Sequence, residues 1–287
     1  MTAHQRQIRD AMAMAHPREA AKSLEGYSVE TISRADATPI ILHYEWLRSV
    51  GRATIFVGLF SPTRELEGVA CFGAGPGGEI MSLLGVPALC LERGACVHYA
   101  PPNAASFLIN TACKLVYRIT KVAVFFAYAD PMAGKDGQGE YGGVYQAAGW
   151  LYLGQGLDGG KGRKLRYFVL QPGRDAADPA AWQTTRELRR KGFRGKGAFK
   201  AARAAGWQIG LRAGKHFYAL HVGYPSERRR WRKILLEKQA LIHGHPLPYP
   251  APHPELKRKP KPWPSEPQRV ASPQNAPDLF SLGDISN

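Results

Sequence analysis

No apolar run in this sequence approaches the ~20 residues that span a bilayer, which argues against a membrane-embedded chain. Its opening residues, MTAHQRQIRDAMAMAHPREA, lack the apolar core of a secretory signal, so a cytoplasmic address is expected. Cysteine is scarce, and Cys71, Cys90, Cys96 and Cys113 show no CxxC spacing. Zinc-site and disulfide frameworks are therefore disfavoured, and the four read as buried small hydrophobes. Cys90 and Cys96, six residues apart, are expected to share one face of a strand. The glycine fingerprints of phosphate-binding loops and dinucleotide folds are missing, which disfavours nucleoside triphosphates and NAD. Zinc-finger and RNA-recognition motifs are missing too.

What is present is a large, uneven positive charge. The 287 residues carry a formal net charge of +16, enough chain for one large domain or two small ones. Lys161–Lys261 holds 25 Lys+Arg against 6 Asp+Glu, so the excess lies in one half. Such an imbalance points to a polyanionic partner. Aromatics interleave with the charges at Arg186, Arg189, Arg190, Lys191, Phe193, Arg194 and Lys196, and again at Arg228–Trp231–Lys233. Mixtures of this kind contact phosphates and stack on bases without reading sequence.

Hydrophobic periodicity divides the chain into elements. Residues 1–25 read as a polar helix or arm, and Gly26–Arg34 as a strand. Ala35–Val50 reads as a helix with Asp36 as N-cap and Ile40, Ile41, Tyr44 and Leu47 on its apolar face. Arg52–Phe60 and Leu66–Gly73 form an expected hairpin, followed by a strand over Pro87–Val97. Asn103 caps a helix running to about Ile119. Val122–Ala127, Leu151–Gly154, Leu165–Gln171 and Lys215–Gly223 are further strands. Trp182–Lys191, Gly197–Ala205 and Ser226–Ile242 read as helical. From His243 to Leu279, eleven prolines and few core residues predict a disordered tail. The fold expected is α/β (α+β), a mixed and mostly antiparallel sheet flanked by helices.

Several residues could carry chemistry. Arg93 arrives from a strand end beside Ser106 in the first helical turn after Asn103, an arrangement suited to a phosphate or to an ordinary helix cap. Asp130 follows the buried run VAVFFAYA, where α/β sheets present functional groups, although an Asp-Pro turn reads the same way. Tyr145, in GGVYQAAGW, is a proton donor at a site mouth or a core aromatic. His43 is a base, a metal ligand or a partly buried helix residue, and Glu45 would face away from it on a continuous helix. His98 follows a strand end with no evident partner.

The order of elements, LERGA with Arg93, and the Asp130…Tyr145-x-x-x-Gly149-Trp150 run together resemble the GNAT acyltransferase fold. Within it, LHYEW with His43 and Tyr44, LEGVACFG, Ser106, YADP, GGVYQAAGWLYLG and KHFYALHV resemble the Mom family of phage DNA-modification proteins, across roughly Gly26–Tyr224. The family's KHRY-like strand reads KHFY here. The resemblance implies an enzyme using acetyl-CoA to convert adenine in double-stranded DNA to N6-carbamoylmethyl adenine, hiding sites from restriction endonucleases. It implies acetyl-CoA binding by Arg93 and Ser106, and acid–base roles for Asp130 and Tyr145. His43 and Tyr44 fall in the catalytic pocket, with His43 the candidate ligand for an associated iron. A host bacterial cytoplasm is the address for a phage-encoded chain, and a homodimer is among the compatible assemblies.

The domain layout expected is an N-terminal helix or arm (1–25), a catalytic domain (26–224) with a basic DNA-binding insertion (178–214), a basic helix (225–242) and a Pro-rich tail (243–287). Two other functions fit the same residues. One is an N-acetyltransferase acting on a protein or small amine. The other is a non-enzymatic DNA-binding protein on an acyltransferase scaffold.

Overall fold

The computed structural model describes residues 3–75, 84–130, 142–155, 165–176, 181–213 and 215–243. The Pro-rich tail and the loop between Asp130 and Gly142 lie outside them. Helix α1 (Ala3–Ala15) leads to strand β1 (Ser28–Thr31) and helix α2 (Arg34–Tyr44). Strands β2 (Ile55–Phe60), β3 (Leu66–Gly73) and β4 (Ala88–Cys96) follow, then helix α3 (Ala104–Thr120) and strand β5 (Val124–Ala129). Helix α4 (Gly143–Ala147) precedes β6 (Leu151–Gln155) and β7 (Leu165–Leu170). Next come β8 (Trp182–Thr184), α5 (Arg186–Arg190), α6 (Ala198–Ala204), β9 (Gln208–Ala213), β10 (His216–His221) and α7 (Pro225–His243).

Seven strands form one sheet in the order β1-β2-β3-β4-β5-β10-β6. Its pairings are antiparallel except β4–β5, which the crossover helix α3 makes parallel. This is the mixed, mostly antiparallel sheet with flanking helices that the sequence implies. Helix α3 buries Leu108, Ile109, Ala112, Cys113 and Val116, the spacing of a single apolar stripe. That stripe joins α2 and Phe125, Ala127 and Ala129 of β5 in the main core. The alternate β5 residues Val124 and Phe126 pack with Trp231 and Leu235 of α7 in a second cluster. All four cysteines are free and buried.

The second sheet, β8-β7-β9, has a small core of Val169, Leu188, Ala202 and Trp207. Trp182–Thr184, expected to be helical, pairs instead with β7, so the smaller sheet begins at Leu165, before the expected insertion.

Two boundaries differ from expectation for identifiable reasons. Helix α2 stops at Tyr44 because Glu45 is extended (φ −98°, ψ 137°), which leaves Leu47 exposed. Ser33, not Asp36, is its N-cap: the Ser33 side chain accepts from the Asp36 N–H, and Asp36 reaches back to complete a capping box. In β4, Cys71 faces Arg93 while the next β3 residue, Phe72, faces Leu91, so Glu92 is the extra residue of a β-bulge. The bulge reverses the strand's facing. Cys90 therefore lies in the α7-side cluster and Cys96 in the main core, not on one face.

Candidate functional site

Pairing between β4 and β5 is recorded only for Ala88–Cys90 with Val124–Phe126. Past that point β4 stays with β3, and β5 stays with β10. Two adjacent parallel strands thus part, and a cleft of about 520 Å³ lies where they do. Glu92 and Arg93 line it from β4, while Tyr128 and Asp130 line it from β5. The bulge allows the consecutive residues Glu92 and Arg93 both to reach the cleft wall.

Arg93 is held on several sides. Its Nε–H donates to the Ser49 carbonyl (2.8 Å), Nη1–H donates to the Glu92 carbonyl, and Glu45 Oε2 lies 3.8 Å from Nε. Glu45 is only 4% exposed and accepts a hydrogen bond from the Leu47 N–H (2.7 Å). Burial, which disfavours the charged form, outweighs the attraction of Arg93 and pushes the Glu45 carboxyl up to about 7. Glu92 accepts from the N–H groups of Arg52 (3.2 Å) and Gly75 (3.4 Å), tying the neighbouring loops to β4. Gly51, in this wall at φ +63°, leaves room that a Cβ would lose 3.1 Å from Glu92 Oε2.

Tyr44 completes the same wall. The His98 Nε2–H donates to the His16 carbonyl (2.8 Å), since a carbonyl can only accept. In the neutral ring, Nδ1 then accepts from the Tyr44 hydroxyl (2.8 Å). Burial raises the Tyr44 phenol above its ordinary value. Helix α1 covers this side: the Gln5 side-chain amide donates to the Gly94 carbonyl (2.6 Å), and Arg9 donates to the His98 carbonyl (2.8 Å).

On the opposite bank, Tyr145 belongs to an aromatic row. Its ring lies 5.2 Å from Trp150 and 5.3 Å from Tyr218, within stacking range. Gly142 (φ +72°) makes this approach feasible, because a Cβ there would stand 2.4 Å from the Tyr218 ring. The Gln146 amide donates to Tyr218 Oη (2.9 Å), whose phenol burial pushes up to about 12.

The cleft therefore gathers Tyr44, Arg93, Asp130 and Tyr145, four of the six residues singled out from sequence. It does not include His43 or Ser106. His43 is on the exposed side of α2, its Nδ1–H donating to the Pro39 carbonyl (2.7 Å). The Ser106 hydroxyl donates to the Asn103 carbonyl (3.0 Å). Asn103 is the N-cap of α3 as expected, but in the left-handed region (φ 63°) and without a side-chain cap bond. Among the described residues no three His, Cys, Asp or Glu side chains gather closely enough to hold a metal ion, so the implied iron finds no donor set among them.

Glu45 and His98 are the residues sequence reasoning passed over. Glu45 was set aside by assuming a helix that continues past Tyr44. His98 has its partner 54 residues away, at Tyr44.

Residues 26–188 match the sequence model of the Mom protein family. No curated protein matches the chain. Among solved structures, the ribosomal-protein-S5-alanine acetyltransferase from Vibrio fischeri aligns at 10% identity and TM-score 0.32, covering 48% of this chain and 86% of that one. A GNAT family N-acetyltransferase from Escherichia coli, in complex with CoA, aligns at 13% identity and TM-score 0.30, covering 58% and 83%. At such scores the family match, not these likenesses, decides kinship.

Proposed function

The chain belongs to the Mom protein family, and on that premise we propose that it is an acyl-CoA-dependent enzyme that modifies adenine N6 in double-stranded DNA. The observation that carries the reading is the meeting of Tyr44, Arg93, Asp130 and Tyr145 in one cleft between parting strands. The product proposed is N6-carbamoylmethyl adenine, which would shield DNA from restriction endonucleases, and the address proposed is the host cytoplasm. Among the described residues no helix is long and apolar enough to cross a membrane.

The residues present suit an acyl-CoA donor. Arg9, Arg52, Arg93 and Lys215 line the cleft and match its phosphates in charge. The first turn of α3, without a side-chain cap, offers backbone N–H groups to the same anion. When bound, the donor supplies an activated two-carbon unit as a thioester. Tyr145, held by its aromatic row, is the proton donor toward the departing thiolate, and Asp130 accepts a proton from the attacking nitrogen. An adenine inside a duplex cannot reach either group, so the base is flipped into the cleft. The exposed arginines and lysines of the smaller sheet would hold the backbone.

Nucleoside mass spectrometry on DNA from cells expressing the chain, with Asp130→Ala in parallel, tests the proposal. The expected outcome is a modified deoxyadenosine that the variant abolishes. The carbamoylmethyl product contains one nitrogen and one hydrogen more than an N-acetyl product, so the mass separates the two. Unmodified nucleosides from folded protein, with label from acetyl-CoA appearing on a protein or small amine, would replace this reading by ordinary N-acetyl transfer. DNA binding without acetyl-CoA binding would leave only the non-enzymatic one.

A further inference from the structure

A second groove, of about 300 Å³, lies between the start of α7 and strands β6 and β10. Arg228, Arg229, Arg232, Trp231 and His221 are among its lining residues, and no carboxylate is. The arginines fall at i, i+1 and i+4, so they share one side of the helix. All three are exposed, while Trp231 between them is 7% exposed and anchors the helix to Leu151, Phe217 and Ala219.

Four features bear on what the groove holds. Glu227 is the acid of the first helical turn, and its Oε2 accepts from the Tyr224 N–H (3.0 Å). That bond engages the carboxylate at the helix start. The positive end of a 19-residue helix opens at the groove, where unpaired N–H groups favour an anion. Burial holds the His221 imidazole below its ordinary titration range, and its Nδ1 accepts from the Gly223 N–H (3.0 Å). The Trp231 indole N–H is buried without an acceptor among the described residues, a donor that normally finds a partner.

We propose that this groove binds a phosphate of the DNA backbone, at a point remote from the cleft. The proposal rests on the reading of DNA as the partner. Its location follows from register. His221 pairs with Val124 and His216 with Ala129, so the groove sits at the opposite end of the β5–β10 pair from Asp130. Six residues at ~3.3 Å rise separate them by roughly 20 Å along the strands. The cleft engages the target nucleotide, and the groove grips the duplex some base pairs away.

The test is the salt dependence of duplex-DNA affinity, measured on the full chain by anisotropy. Replacing Arg228, Arg229 and Arg232 together by Gln is expected to flatten the slope of log K against log salt by about 2–3, near 0.9 per lost phosphate contact. The matching triple Lys variant retains the charge and is expected to keep the wild-type slope. Circular dichroism on both verifies folding, which substitution of exposed side chains leaves intact. A wild type that binds DNA steeply, with an unchanged slope in the Gln variant, overturns the groove and leaves the DNA reading standing. A wild type that fails to bind duplex DNA at low salt overturns the DNA reading and the groove with it.

Discussion

The two sheets use charge in opposite ways. Around the cleft of the larger sheet, charges are buried or clamped: Glu45 is nearly inaccessible, Arg93 is fixed by Ser49 and Glu92, and Glu92 is tied to two backbone N–H groups. In the smaller sheet and on α7 they stand in water. Arg189, Arg190, Lys191 and Arg229 are exposed above modest cores. Desolvated charges are positioned and shifted in titration, which suits chemistry. Solvated ones keep their ordinary charge and are screened by salt, which suits grip on a polyanion. The comparison teaches that position and grip are assigned to different parts of this chain.

Four substitutions would break or sharpen that division, in descending order of effect. Asp130→Asn and Tyr145→Phe are expected to lower turnover by about 10²–10⁴-fold while leaving DNA affinity within about 2-fold. Quantified product and parallel anisotropy read both; a matching loss of affinity would blur the division. Phe125→Ala, in the fully buried main core, is expected to cost about 3–5 kcal/mol of stability. Leu188→Ala, in the four-residue core of the smaller sheet, should cost about 2–5 kcal/mol. Denaturant titration of each shows whether the sheets melt as one unit.

The third test uses pH. Burial raises Glu45 from 4.5 to about 7, so its contribution to stability is fully present below pH 4.5 and is lost as pH rises through 7. The loss amounts to about 3 kcal/mol, and Glu45→Gln should flatten thermal stability across that window. Last, Arg64→Ala removes an exposed pair with Glu30 and should change stability by less than about 1 kcal/mol. A larger loss would mean that surface pairs matter here more than solvent screening allows.

Much of the fold was legible wherever a pattern was local. The alternation of β2 and β3 and the apolar stripe of α3 announce themselves within a dozen residues. The polar strands β8 and β9 do not, because their partner β7, not their own side chains, makes them strands. In the site, Asp130 and Tyr145 were visible from motif and strand end. Glu45 was not, because its shifted carboxyl depends on burial and on Arg93, 48 residues later. The bulge was equally hidden: nothing in ALCLERGAC marks Glu92 as the residue without a partner.

That one unpaired residue acts as a half-period step in the strand's phase. Before it, β4 keeps time with β5 and the α7 side; after it, the same alternation is inverted. A deletion of Glu92 would leave hydrophobicity and length almost unchanged, yet every side chain from Arg93 to Cys96 would exchange inside for outside. Alignments that score composition would pass such a sequence as equivalent. For this strand the informative quantity is parity: whether an odd or an even number of residues separates the paired stretch from the arginine.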